Sequence, residues 1–232
     1  MKKCLFLLLG MSMVLANAQT KKHTKLVQIN KDIPLLIPQK KNGKFGYINQ
    51  KGEVVIPHTY SNVGFFAEDC NLLHSNNPKV KKFGTAKYSS VRLEGIDYRI
   101  DMAGKRVYKF NDTDLVKCPS EYKAQKYHSF IRQGYYGVIN KDTFQNEEDY
   151  RNYIIYPQYE YLHIMEGNNV ENPMIIAVVN NRFGVIDINN KTIIPFEYSD
   201  IKRNFSWKLG NLFEVTKDGE NYYFVDINNK GY

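Results

Sequence analysis

Two stretches of this chain spell the same pattern, and that repetition limits the fold more than any other feature. Residues 40–60 (KKNGKFGYINQKGEVVIPHTY) and 180–198 (NNRFGVIDINNKTIIPFEY) both run aromatic–Gly, two or three apolar residues, a polar turn, three apolar residues, Pro, and Tyr three places on. Apolar runs this short, punctuated this often, leave no room for long amphipathic helices.

Five hairpins follow from the same reading: residues 36–49, 91–101, 130–140, 176–187 and 213–226, each ending in Asn or Asp. Asn42-Gly43 and Asp218-Gly219 tolerate the positive φ that two-residue hairpin turns demand, and Glu94-Gly95, Gln133-Gly134 and Asn180-Asn181 are weaker forms of the signal. A third run follows a further polar turn at 54–57, 105–110 and 193–195; at 154–157 it comes after an acidic insertion, 141–152. The corresponding positions Gly46, Tyr98, Gly137, Gly184 and Tyr223 are 52, 39, 47 and 39 residues apart, a period typical of stacked supersecondary units. Eighteen Tyr and thirteen Phe against one Trp suit strands. Helical periodicity is scarce, with a single turn conceivable at 146–151. The expectation is an all-β array of about four to five three-stranded antiparallel meander repeats, β-solenoid or propeller-like. It occupies 35–232 behind a lead-in segment at 19–34. The last unit stops one strand short, and residues 25–29 (KLVQI) alternate in a way that would close the array if they paired there; an open solenoid is the alternative.

The beginning of the chain reads as a secretory signal peptide, residues 1–18, with Lys2 and Lys3 as its basic end, an apolar run at 4–16 and Ala16-Asn17-Ala18 as a small-residue cleavage site. That run has about thirteen residues, where a spanning helix needs roughly 20. No later run is long and apolar enough to span. The mature chain is therefore expected to start near Gln19, in the periplasm or outside the cell. Cys4 precedes the apolar run instead of following it, which argues against lipidation. Cleavage takes Lys2 and Lys3 and no acid, so the net charge falls from +8 to +6. This excess serves solubility and loose attraction to acidic polymers. Cys70 and Cys118 remain: either one disulfide closing 47 intervening residues or two small buried hydrophobes.

The repeat resembles the bacterial WG (or KWG) β-repeat family, whose unit reads Trp-Gly-aromatic-Ile-Asp, a turn with Gly, Val-Ile-Pro, then Tyr-Asp. The matching residues are Phe45-Gly46-Tyr47-Ile48-Asn49 through Pro57 and Tyr60, and Phe183-Gly184-Val185-Ile186-Asp187 through Pro195 and Tyr198. A third copy is Tyr136-Gly137-Val138-Ile139-Asn140 with Pro157 and Tyr159. Phe or Tyr replaces the signature Trp each time, and Trp207 lies outside the motif. The resemblance implies architecture and an interaction role; it carries over no catalytic residues. Glycine inside a strand marks close approach of something bulky. Tyr60, Tyr159 and Tyr198 are expected to supply that bulk, packing on the glycines from neighbouring segments. Pro57 and Pro195 lack a donor and should end strands or sit on an edge.

Searching for chemistry yields little. His23, His58, His74, His128 and His163 are dispersed, with no pair at metal-ligand spacing. Asp226-Ile227-Asn228 resembles the start of a calcium loop but lacks the later ligands, and the same letters at 187–190 read as a turn. Glu68, Asp69, Glu147, Glu148 and Asp149 supply acids without singling out the opposed pair that glycoside hydrolysis needs. No nucleophile elbow, phosphate loop or HExxH occurs. Lys40, Lys41, Lys44, Lys79, Lys81 and Lys82 are basic but fit sheet-edge gatekeeping better than nucleic-acid binding. The expectation is a binding or structural module rather than an enzyme, with no cofactor, metal or nucleic acid. Its partner would be a protein or a cell-envelope polysaccharide, contacted through residues 65–80, 141–152, 167–173 and 203–210. A hydrolase with an unrecognised site is the rival reading.

Overall fold

A computed structural model of the chain describes residues 26–119, 125–145 and 152–232. The signal peptide expected at 1–18, Lys25 and the helical turn expected at 146–151 lie outside those residues. The described residues form seventeen short strands in five separate antiparallel sheets. The first sheet holds β1 (Ile37–Lys41), β2 (Lys44–Ile48) and β3 (Val54–Tyr60). The second holds β4 (Asn62–Phe66), β5 (Ser89–Leu93), β6 (Ile96–Ile100) and β7 (Arg106–Lys109). The third holds β8 (Tyr127–Arg132), β9 (Tyr135–Asn140) and β10 (Tyr153–Tyr159). The fourth holds β11 (Tyr161–Ile164), β12 (Ile175–Val179), β13 (Arg182–Ile186) and β14 (Thr192–Tyr198). The fifth holds β15 (Asp200–Ile201), β16 (Phe213–Thr216) and β17 (Tyr223–Val225). Three helices of four or five residues interrupt them: α1 (Cys70–Leu73), α2 (Pro78–Lys81) and α3 (Ser206–Gly210). Among the described residues no barrel or propeller closes through shared strands.

The all-β expectation holds, but the repeating unit is larger than the three-stranded meander read from the sequence. The residue after each Pro-linked Tyr opens a new sheet: β4, β11 and β15 begin two positions beyond Tyr60, Tyr159 and Tyr198 and pair with the hairpin that follows. The second and fourth sheets are therefore four-stranded.

Four of the five hairpins turn where their dipeptide allows; in the fifth, contrary to expectation, residues 217–222 join β16 to β17 and only Gly219 of Asp218-Gly219 has positive φ. Asn42 and Gly43, Glu94 and Gly95, Gln133 and Gly134, and Asn180 and Asn181 all have positive φ at both positions, which matches the twist of the strands they join. The Asn or Asp that ends each hairpin folds the next turn over its own side chain. Asn49 Oδ1 accepts from the N–H groups of Lys51 and Glu53, and Asp101, Asp187 and Asp226 accept from the residues two and four places on. Asp226 thus spends Oδ1 on its own turn while Oδ2 accepts from the Tyr232 hydroxyl, which accounts for the calcium-like spelling.

The Gly–Pro signature has one geometric meaning in all three good copies. Phe45 pairs with Tyr60 and Tyr47 with Ile56, so two steps along β2 face four along β3. The same two-against-four register joins Tyr136 and Val138 to Tyr159 and Ile155, and Phe183 and Val185 to Tyr198 and Ile194. The surplus bulges over the glycine. A Cβ on Gly46 would lie 2.5 Å from Ile56 O and 2.8 Å from His58 N. What crowds each glycine is thus the bulged backbone of its own sheet, and in one copy the Phe196 ring as well, not the tyrosine ring expected from the sequence. Pro57, Pro157 and Pro195 sit within these bulges, on edge strands, where no ladder partner needs their missing N–H and where they blunt the edge.

The tyrosines are buried instead between sheets. Tyr60 packs with Leu36, Tyr47, Ile56, Val91 and Ile100 at the junction of the first and second sheets. Tyr159 lies between the third and fourth, Tyr198 between the fourth and fifth. Their hydroxyls latch one unit to the next: Tyr159 donates to Asn190 Oδ1 and Tyr198 to Asn229 Oδ1, each at 2.6 Å across 31 residues. A fourth cluster joins the fifth sheet to the first through Ile33, Ile37, Ile48 and Leu212, with Phe65, Phe224 and Tyr232 packed on it. The packing order along the array is therefore third, fourth, fifth, first, second. The first and last described stretches of the chain meet inside the row.

Residues 26–36 add no strand, contrary to the closure expected of 25–29. Buried Gln50 holds them instead. Its Oε1 accepts from Ile29 and Asn30 N–H, and its Nε2 donates to the carbonyls of Asn30, Ile33 and Pro34. At the outer end of the row, residues 67–88 cover the second sheet. Buried Arg99 ties them down by donating to the carbonyls of Phe83, Thr85 and Ala67, and Cys70 is bonded to Cys118 with Cα atoms 5.6 Å apart.

Candidate functional site

A cleft of about 460 Å³ lies between the first and fifth sheets, where residues 38–40 face residues 202–224. One wall is the outer edge of β1, at Pro38, Gln39 and Lys40, with Phe45 behind it. Residues 62–65 of β4 form the floor, where Phe65 meets Phe224 of β17 edge to face at 5.5 Å. The opposite wall is Glu214, Tyr222 and Tyr223, and the rim is the segment 202–209 that carries α3.

Mutual hydrogen bonds and ion pairing fix the polar side chains of that wall. Lys202 Nζ sits 2.8 Å from Glu214 Oε1 and 4.1 Å from the centre of the Tyr222 ring. Asn204 Nδ2 donates to Glu214 Oε2 at 2.6 Å. Tyr222 donates to Asp200 Oδ2 at 2.6 Å, and this bond to a carboxylate, with burial, pushes its phenol up to about 12. Tyr222 is thus a fixed neutral donor throughout the physiological range. The charged side chains on the cleft number two of each sign, Lys40 and Lys202 against Glu214 and Glu220, so no field selects a charged ligand.

Two features of α3 set the rim apart. Phe205 and Leu209, four residues apart and hence on one face, are 57% and 45% exposed. Ser206 between them is 3% exposed, and its hydroxyl is a buried side-chain oxygen without a hydrogen-bond partner. Such a group costs about 1–3 kcal/mol, and Ser206 is one of the residues lining the cleft.

Of the four connections expected to bind, only two contribute here. Phe65 and the 203–209 stretch line the cleft, whereas the rest of 65–80 builds the disulfide-bonded cover over the second sheet. Gly167, Asn169, Val170 and Pro173 line a much smaller recess with residues 125–127, and 141–152 lies partly outside the described residues. Of the histidines, His58 bonds Gln39 at 3.0 Å and His163 is on β11. Burial first, then Lys41 or Arg203 respectively, holds each imidazole below its ordinary value. Asp69 caps α1 by accepting from Leu72 N–H. Among the described residues no three His, Cys, Asp or Glu side chains converge on a point where a metal would sit. Sequence reasoning missed Gln39, Lys202, Glu214, Tyr222 and Phe224, because nothing local announces that residues 38–40 and 202–224 will face each other.

The family model for the WG containing repeat matches residues 45–70 and 183–220. Curated proteins supply no match. Among solved structures, a crystal structure of the eukaryotic initiation factor aligns over 84% of this chain at 10% identity with a TM-score of 0.29, and the chain spans about half (51%) of that protein's length. The matched segments begin at two of the three copies in which the Gly–Pro bulge recurs with the same register. Residues 45–70 and 183–220 are therefore WG containing repeats.

Proposed function

We propose that this protein works outside the cytoplasm as a protein-binding module, with the seam cleft between the first and fifth sheets as its ligand seat. The observation that carries this reading is the cleft itself: an aromatic floor, a wall of pre-positioned polar groups, an exposed apolar rim and an unsatisfied buried hydroxyl, converging where two sheets fail to fill the space between them. Binding sites have this make-up, apolar area for affinity and a few fixed polar groups for orientation. Extracytoplasmic residence is supported by the signal-peptide pattern at 1–18 and by the Cys70–Cys118 disulfide, which an oxidising compartment favours. Glu214 is engaged by both Lys202 and Asn204, so its role is orientation rather than proton transfer.

The test is capture of partners from envelope and culture extracts by residues 19–232, with polysaccharides assayed in parallel. The same capture is run with Phe205→Asp and Leu209→Asp, which alter only exposed rim positions. A saturable protein partner lost in both variants supports the reading. A polysaccharide bound in its place, or a partner indifferent to the rim, overturns it.

A further inference from the structure

The second, fourth and fifth sheets each begin with a short strand laid antiparallel along the following hairpin, β4 on β5, β11 on β12 and β15 on β16. Among the described residues the first and third sheets have no such strand, with β1 and β8 as their edges; only the edge of β1 lines the large cleft. The registers allow the vacancy to be placed residue by residue. Ile37, Ser89, Ile175 and Phe213 each pair with the residue just before the Asx turn, so Gln39 occupies the place of Val91, Ala177 and Val215. Opposite those three lie Val63, Leu162 and Ile201, always an aliphatic side chain.

We propose that the vacancy beside β1 is a slot for an extended peptide of a partner protein, which adds as the missing first strand and places an aliphatic residue opposite Gln39. The proposal rests on the binding-module reading and gives it a mode. Three observations support it. The wall of the cleft is Pro38, Gln39 and Lys40, the residues along which that strand would run. The side chain opposite Gln39 would enter the space floored by Phe65 and Phe224. And the chain's own N-terminal stretch, 26–36, is led elsewhere by Gln50.

Backbone parity agrees. In the fourth sheet Met165 N–H donates to Met174 O, which marks Met174, Ile176 and Val178 as the residues facing β11. Lys40 corresponds to Val178 and Pro38 to Ile176. An incoming strand therefore meets the N–H and carbonyl of Lys40 and the carbonyl of Pro38. Pro38 offers no N–H, which discourages indiscriminate edge pairing while the two carbonyls still accept. This is strand addition, with main-chain bonds giving affinity and the pocket for alternate side chains giving specificity.

The probe is a synthetic peptide copying residues 159–166, YEYLHIME, titrated into residues 19–232 and followed by anisotropy and amide hydrogen exchange. Saturable binding, slowed exchange at Lys40, and no binding of a peptide with Asp in place of the leucine are expected. Lys40→Pro should weaken binding at least tenfold without moving the melting temperature; if that variant fails to fold, exchange at Lys40 in the unaltered protein decides. A Lys40 amide already protected without peptide would mean the slot is filled by the chain itself, and protection elsewhere would mean another surface; either overturns the proposal. If the peptide fails but a captured partner still needs Phe205 and Leu209, strand addition is wrong and the module reading stands.

Discussion

Replacing Gly46 by Ala separates the bulge account from the alternatives. The added Cβ would lie 2.5 Å from Ile56 O, 2.8 Å from His58 N and 2.8 Å from Pro57 C, all backbone atoms that no rotamer change can move. Overpacking of this kind costs about 1–3 kcal/mol, and the backbone contacts put Gly46→Ala near the upper value. For a domain of this size each kcal/mol lowers the melting temperature by about 2–4 °C, so a fall of roughly 6–12 °C is expected in a thermal melt. Gly184→Ala should fall less, because two of its three close contacts are to the Phe196 ring, which can tilt. Gly64→Ala is the control, its nearest neighbour being 3.6 Å away. Deleting Pro57 and His58 from the Gly46→Ala variant turns the two-against-four register into a plain ladder and should recover part of the loss. A Gly46→Ala melt within about 1 °C of the parent, or an equal loss at Gly64, would refute the reasoning, since removing glycine freedom from the unfolded chain alone would stabilise by about 0.4–1 kcal/mol.

Three further outcomes are expected. Cys118→Ser opens a loop of 47 intervening residues, worth about 4 kcal/mol on the chain-entropy account, and should lower the denaturant midpoint and expose residues 67–88 to protease; an unchanged midpoint would refute this. Tyr159→Phe removes the hydroxyl from Asn190 and should cost about 0.5–1.5 kcal/mol. Tyr60→Phe should cost only a few tenths, because Gly104 stands where Asn190 does and offers no side-chain acceptor, and a cycle with Asn190→Gly should show coupling only for Tyr159. For His163, burial and Arg203 hold the folded pKa below the unfolded one, so the unfolded chain takes up the proton first. Its contribution is complete above about pH 6.5 and is lost as the pH falls through the lower folded value, and His163→Gln should flatten that acid-side decline in denaturant midpoints.

The hairpins were legible because a two-residue turn with positive φ needs particular residues, and Asn42-Gly43 or Gln133-Gly134 announce it locally. The first strands were not. Only Ser61, Glu160 and Ser199 separate the long edge strands from β4, β11 and β15, and a one-residue corner has no dipeptide signature. The short helices were missed because four or five residues cannot display a period, although Asn77-Pro78 is a capping signal that could have been read. The glycine's neighbour was misassigned for a related reason: the sequence shows that something must come close to Gly46, but which atoms do depends on register. Gln39, Lys202 and Phe224 were out of reach altogether, since their meeting is decided by how Ile37 and Leu212 pack across the seam.

That seam differs in kind from the other junctions. The contacts of the first sheet with the second, the third with the fourth and the fourth with the fifth join neighbours in sequence, and each can form as soon as its two units exist. The seam joins Asp32 to Asn211, 179 residues apart, and must bear the loop-closure entropy of everything between. The repeat is also incomplete there: the first sheet, like the third, has no first strand among the described residues, and the fourth strand of the fifth is reduced to a single bridge between Val225 and Gly231. The array is therefore short of covered backbone where its order is most costly to establish. A strand seated beside β1 would pair with the first sheet while its side chain packs on Phe224 of the fifth, spanning both halves of the row. Any ligand that binds the folded form alone stabilises it by mass action. At this position the gain falls on the junction that holds the array together, which couples recognition to the integrity of the fold.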